Sequence, residues 1–198
     1  QDLISTEIFL LENSGAGGAK KILDLGTGDG RAGFMVTDIL AGQPEELFLT
    51  DYNPEILAQA QSNIFREEES YIKTEVQDVT KLTYPSEYFD LVLALGDTFS
   101  LVHHQNYGGG AYENNKAGFD LAIRESLRVL KEEGILIYSM NPSFLDWRYL
   151  DKKLTYLEEN YNLIILEARI AYVGFLTTDV LDDKRIVFAC KKQTKEKQ

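Results

Sequence analysis

The sequence predicts a doubly wound α/β domain, with a seven-stranded, mostly parallel sheet that closes on a C-terminal antiparallel strand pair. Three observations predict it. Short apolar runs alternate with segments of helical periodicity through most of the chain. The run Phe89–Leu95 is almost unbroken apolar, which suits a strand buried on both faces beneath helices. The last two strand-like runs, 162–173 and 185–191, have no clear helix between them, so they read as an antiparallel pair.

The elements follow in order. Lys20–Leu25 (KKILDL) runs into glycines, as a strand entering a tight turn does. Residues 31–41 form a helix, and Leu47–Asp51 a second strand. Asn53 and Pro54 start the next helix as cap and first-turn proline, because proline loses nothing where the N–H is already unpaired. Ile56, Ala60 and Ile64 give that helix one apolar face. Tyr71–Gln77 is the third strand and Phe89–Leu95 the fourth. Phe119, Ile123, Leu127 and Leu130 mark a helix that Gly134 is placed to end, before a fifth strand, Ile135–Met140. Trp147, Leu150, Leu154 and Leu157 stand at helical spacing. About 19 residues precede the first strand, and no N-terminal lid segment is read in them.

Composition bounds the function. The 198 residues suffice for one domain, 1–198, whose last residues, 191–198 (KKQTKEKQ), read as a solvated, frayed tail. With 20 Lys and Arg against 32 Asp and Glu, the net charge of −12 repels phosphate backbones, so nucleic acid is not expected as a partner. Cys190 is the only cysteine, which excludes an internal disulfide and any multi-cysteine zinc site, and fits a reducing cytoplasm. No apolar run approaches the length that spans a bilayer, so no membrane partner is expected.

The chemistry concentrates at the ends of the strands. Asp24-Leu25-Gly26-Thr27-Gly28-Asp29-Gly30 is a glycine turn directly after a strand, where missing Cβ atoms let a ligand approach the main chain. Arg31 stands where the dinucleotide fingerprint needs its third glycine, and no P-loop is present. A nucleoside ligand without phosphates fits better. Asp51 ends the second strand, where its carboxylate can accept from both hydroxyls of a ribose. Asp78 ends the third and can accept from an exocyclic amine such as that of adenine; Asp97 follows the fourth. Singly, each is a common turn residue; together they line one rim of the sheet.

With these residues in place, the chain resembles the class I S-adenosylmethionine-dependent methyltransferases. DLGTGDG, LTDYNP, VQDV, FDLVLALGD and LKEEGILIYS occur in that family's order from about Lys20 to Ser139. The resemblance implies S-adenosyl-L-methionine as cofactor. It implies that Asp24 with Gly26 and Gly28 holds the methionine end and that Asp51 takes the ribose hydroxyls. Tyr52 then lies against the adenine, Asp78 binds its amine with help from the backbone N–H of Val79 beside it, and the backbone at Leu95 faces the cofactor's amino group. The sulfonium carries an activated methyl group, so catalysis is largely alignment of a nucleophile for in-line displacement.

The acceptor is expected to be a small molecule. Residues 97–118 are polar and glycine-rich and hold both histidines, so Asp97, His103 and His104 are the catalytic candidates and Tyr112 a substrate contact. Trp147 is a further substrate candidate, although its spacing with Leu150 and Leu154 also suits core packing. Asn141-Pro142 lies after the fifth strand, whereas the NPPY-type motif of amino-group methyltransferases belongs after the fourth. That argues against methylation of DNA adenine or protein glutamine. The alternatives are a catalytically silent binding subunit, a protein or tRNA methyltransferase, an aminopropyltransferase, or an NAD-linked oxidoreductase. A homodimer stays open.

Overall fold

Seven strands form one sheet in the order β3-β2-β1-β4-β5-β7-β6. They are β1 (Lys21–Leu25), β2 (Glu46–Asp51), β3 (Ile72–Val76), β4 (Phe89–Ala94), β5 (Leu130–Met140), β6 (Leu163–Tyr172) and β7 (Lys184–Lys192). The structure is a computed structural model and describes residues 3–40, 42–65, 70–96, 98, 116–140, 150–172 and 184–194. The pairs β1–β2, β1–β4, β2–β3 and β4–β5 are parallel, whereas β7 runs antiparallel between β5 and β6. The expected closing pair, β6 and β7, is present, and its second member β7 is the reversed strand, seated between β5 and β6.

The apolar runs explain the two faces. Successive strand residues point to opposite sides. Leu23, Val92, Leu136 and Phe188 therefore join one core, and Ile22, Leu91, Ile135 and Val187 the other. The first core packs under α4 (Lys116–Val129) through Ala122, Ile123 and Leu127, and under α5 (Leu150–Tyr161) through Leu157 and Tyr161. The second packs under α1 (Leu3–Asn13), α2 (Arg31–Ile39) and α3 (Pro54–Ser62). Asn53 caps α3 as expected, its side chain accepting from Glu55 N, with Pro54 in the first turn. At the amino ends of the strands Glu46 accepts from Tyr88 Oη at 2.6 Å and pairs with Lys21 and Lys73.

Three elements differ from expectation. Residues 3–13 form a helix that the sequence reading did not contain; Leu10 and Leu11 are its buried anchors, and Arg169 of β6 stacks on its Phe9 at 3.5 Å. The helix holding Phe119, Ile123 and Leu127 ends at Val129, not at Gly134. Leu130 already pairs with Phe89, the register of β5 against β4 shifts before Ile135 with Glu133 at φ 63°, and a Cβ on Gly134 would lie 2.7 Å from Leu130 Cδ1. Lys191 and Lys192 are strand residues: Lys191 pairs with Ile135, and Lys192 Nζ donates to Leu130 O at 2.6 Å. The tail therefore begins later than its composition suggests.

Candidate functional site

Parallel strand β1 has β2 on one side and β4 on the other, so the chain's winding reverses beside it. At such a point the connections leave in opposite directions and open a crevice beyond the carboxyl ends. A cleft of about 350 Å³ lies there. Asp24, Gly26, Asp51, Tyr52, Asp78, Val79 and Leu95 all line it, and Gly28 sits in the turn between the lining residues Thr27 and Asp29. Asp97, His103, His104, Tyr112 and Trp147 lie outside the described residues.

The glycine turn is built from the inside. Gly26 has φ 63°, and a Cβ there would stand 2.4 Å from Thr98 Oγ1, so both conformation and packing demand glycine. Gly28 has φ 61° but a Cβ would meet nothing within 4 Å, so its requirement is conformational and its surroundings are open. Thr27 N donates to Thr50 O at 2.8 Å, which ties the turn to β2.

Asp24 fixes the other end. It is 1% exposed, and its Oδ2 accepts from Thr27 Oγ1 at 2.6 Å and from Gly33 N at 3.1 Å. Burial pushes its carboxyl up to about 7, against the opposing pull of those two donors and of Arg31. This carboxyl thus holds the turn to α2 as well as lining the cleft.

Asp51 is differently placed. Gly28 N donates to its Oδ2 at 3.3 Å and Asn53 N to its Oδ1 at 2.9 Å. Each oxygen takes one main-chain donor, and an ionised carboxylate offers about four lone-pair sites. Acceptor capacity for two hydroxyls remains. Tyr52 beside it is 67% exposed, leaving its ring available to a planar group.

The loop after β3 supplies the third side. Gln77 N donates to Asp51 O at 3.0 Å, joining the two strand ends. Asp78 is exposed, and its Oδ1 accepts from Thr80 N at 2.9 Å and Thr80 Oγ1 at 2.7 Å, which orients the carboxylate. On the fourth side Leu95 O accepts from Thr98 Oγ1 at 3.0 Å, and Gly96 O from Ser139 Oγ at 2.7 Å.

Sequence reasoning did not assign Thr50, Gln77, Asn53, Ile56 or Arg31 to the cleft, although all line it. The signal for Arg31 was available, since it opens the helix that follows the glycine turn. No group of three or more His, Cys, Asp or Glu among the described residues could hold a metal ion. No helix among the described residues is long and apolar enough to cross a membrane.

The chain matches the family described as "Methyltransferase domain" over residues 17–187. No curated protein matches the sequence. Among solved structures it is similar to the YcgJ protein from Bacillus subtilis, with 13% identity and a TM-score of 0.65 over 96% of this chain and 99% of that one. It is similar to the N-methyltransferase NodS from Bradyrhizobium japonicum, with 18% identity and a TM-score of 0.66 over 96% of this chain and 94% of that one. It is also similar to the cyclase SpnF, with 17% identity and a TM-score of 0.66 over 96% of this chain and 80% of that one.

Proposed function

The chain belongs to the methyltransferase-domain family, and from that premise we propose that it binds S-adenosylmethionine in the strand-end cleft and methylates a small-molecule nitrogen or oxygen nucleophile. The observation that carries the reading is Asp51. Its carboxylate ends β2, is held by two main-chain N–H groups, and lines the cleft between the glycine turn and Tyr52.

The residues present fit the nucleoside. Asp51 has acceptor capacity for both ribose hydroxyls, Tyr52 offers an aromatic face, and Asp78 with Val79 stands where an adenine amine would be read. The cofactor, when bound, supplies a methyl group on a sulfonium that needs no further activation. The chain's own residues then bind and align the reactants and exclude water. Asp97, His103 and His104 are proposed as the groups that accept the nucleophile's proton, and Tyr112 and Trp147 as walls of the acceptor pocket. Their support is the sequence, where they follow the fourth and fifth strands.

A small molecule is favoured over RNA by the net charge of −12, which opposes a polyanionic acceptor. The lone buried thiol fits a cytoplasmic setting. Because one similar structure is a cyclase by name, the shared fold does not fix the reaction. Transfer of a labelled methyl group does.

Calorimetric titration with S-adenosylhomocysteine tests the binding step. Wild type is expected to bind, and Asp51→Ala to bind at least tenfold more weakly, because hydrogen bonds to a charged group contribute about 1.5–3 kcal/mol each. No binding by wild type, or equal affinity of the two proteins, sinks the reading.

A further inference from the structure

The sheet ends on β6, and among the described residues only β7 pairs with that strand. Its outer edge presents main-chain N–H and C=O groups, a template for another strand unless short length, proline or inward charge blunts it. β6 is ten residues long and holds no proline. It exposes Ile164, Leu166 and Ile170 at 42%, 41% and 47%. One end is occupied: β6 bulges between Ile165 and Glu167, and Glu158 of α5 accepts from Ile165 N at 3.1 Å. That main-chain donor is already taken, so the stretch available to a partner starts at the bulge.

The stretch is self-complementary in antiparallel order. With Ala168 as centre, Glu167 falls opposite Arg169 of a second copy, and Leu166 opposite Ile170. Unlike charges then meet in the middle and exposed apolar groups on either flank, both favourable as directly opposed pairs. Within one chain Glu167 and Arg169 already pair at 2.5 Å, with side chains still 36% and 33% exposed. Phe9 of α1 lies under the guanidinium, its ring centre 3.5 Å away, and holds it over that face. Two copies would set four charges in alternation. Neighbouring registers fail: centring on Glu167 sets carboxylate against carboxylate, and centring on Arg169 sets guanidinium against guanidinium. The net charge of −12 repels two copies at range, so association needs a face where charge is matched locally.

We propose that β6 is a dimerisation edge whose occupant is a second copy of this chain, paired antiparallel about a two-fold axis at Ala168. The two seven-stranded sheets become one continuous sheet. The axis closes the contact on itself, so assembly stops at two. Since β6 runs parallel to β1, β4 and β5, the two strand-end clefts open at opposite ends of the joined sheet, and neither faces the interface.

Sedimentation equilibrium of wild type, Arg169→Glu, the double exchange Glu167→Arg with Arg169→Glu, and Ile170→Lys tests this, with urea unfolding to check that each variant folds. Wild type is expected at twice the mass of one chain at tens of micromolar. Arg169→Glu sets two carboxylates against each other on both sides of the axis and should raise the dimer Kd about tenfold or more. The double exchange restores unlike pairs and should return the Kd to within about threefold of wild type. Ile170→Lys keeps both charged pairs and should raise the Kd about tenfold by charging the apolar flank. If a charge variant fails to fold, Ile170→Lys decides alone. A wild type that stays monomeric at hundreds of micromolar overturns the inference. So does a dimer that a folded Arg169→Glu or Ile170→Lys leaves intact, or one that the folded double exchange weakens as much as Arg169→Glu does.

Discussion

Asp24 places a titrating group inside the fold. Its carboxyl is raised from 3.8 to about 7, chiefly by burial. Below 3.8 folded and unfolded chains both hold the proton, and the group's contribution to stability is complete. Between 3.8 and about 7 the unfolded chain releases the proton while the folded chain keeps it, so stability falls as pH rises. Since a tenfold change in proton affinity is worth about 1.4 kcal/mol, the whole loss is on the order of 4 kcal/mol. Glu46 moves the other way, held down to about 2 chiefly by its hydrogen bond from Lys73, so its gain grows from about pH 2 to 4.5, overlaps only the foot of this window, and is common to wild type and variant. In Asp24→Asn the amide oxygen can still accept from Thr27 and Gly33, but nothing titrates. Urea unfolding of both proteins from pH 4 to pH 8 should show wild type losing several kcal/mol relative to the variant. Parallel curves would refute the assignment. At this scale the sequence reading was uneven. Asp51 was legible as a strand end because it closes the apolar run of β2, and Asp78 because it follows the alternating run of β3. Glu7 was not, because a glutamate in a helix reads as surface until its burial against the exposed Arg31 is seen.

The loop between β3 and β4 is held by α4. Arg128, in the last turn of that helix, donates from Nη1 to Tyr84 O at 2.8 Å and from Nη2 to Leu82 O at 2.9 Å. Glu125 one turn earlier accepts from Arg128 Nε at 2.8 Å and from Leu82 N at 2.9 Å, and its carboxyl is held below the usual range by Arg128. A helix on one face of the sheet thereby fixes the loop that carries Asp78 and Val79. Arg128→Met keeps the stem and removes the fork, leaving two carbonyls without their donors. A loss of about 1–3 kcal/mol in urea unfolding is expected, with weaker S-adenosylhomocysteine binding by several-fold. An unchanged unfolding midpoint would show that the anchor is dispensable. Elements with uniform periodicity were the legible ones: β1, β2, β4 and the Asn53-capped α3. Helix α1 escaped because Thr6 and Glu7 interrupt its buried stripe of Leu10 and Leu11. The end of α4 was misread because Leu130 satisfies the helical spacing of Leu127 yet serves as the first residue of β5.

Across the whole molecule, strand order could not be read from the sequence, because an apolar run specifies burial and not which neighbour it acquires. The insertion of β7 between β5 and β6 is one outcome of that kind, and it gives Cys190 a strand neighbour on both sides. Cys190 pairs with Leu136 on one side and Ile165 on the other, and is fully buried beside Tyr138 and Phe188 in the core. Burial pushes its thiol well above the ordinary range, so almost no thiolate exists to react. Exposing it requires β7 to part from both neighbours, β5 and β6, to which it is paired along its length, and we propose that this opening coincides with global unfolding. Labelling of this one cysteine by a thiol reagent should therefore report the opening of the entire fold. A ligand that binds only the folded state should slow labelling by the factor 1 + [L]/Kd, about 100-fold when S-adenosylhomocysteine is present at a hundred times its Kd. The cofactor contacts proposed here lie at the carboxyl ends of β1, β2, β3 and β4, on strands other than β7. Protection of Cys190 would thus come through the cooperativity of the sheet and not through steric cover. Rapid labelling of the native protein, or a rate indifferent to bound ligand, would mean that the β5–β7–β6 half opens independently of the half that carries the cleft.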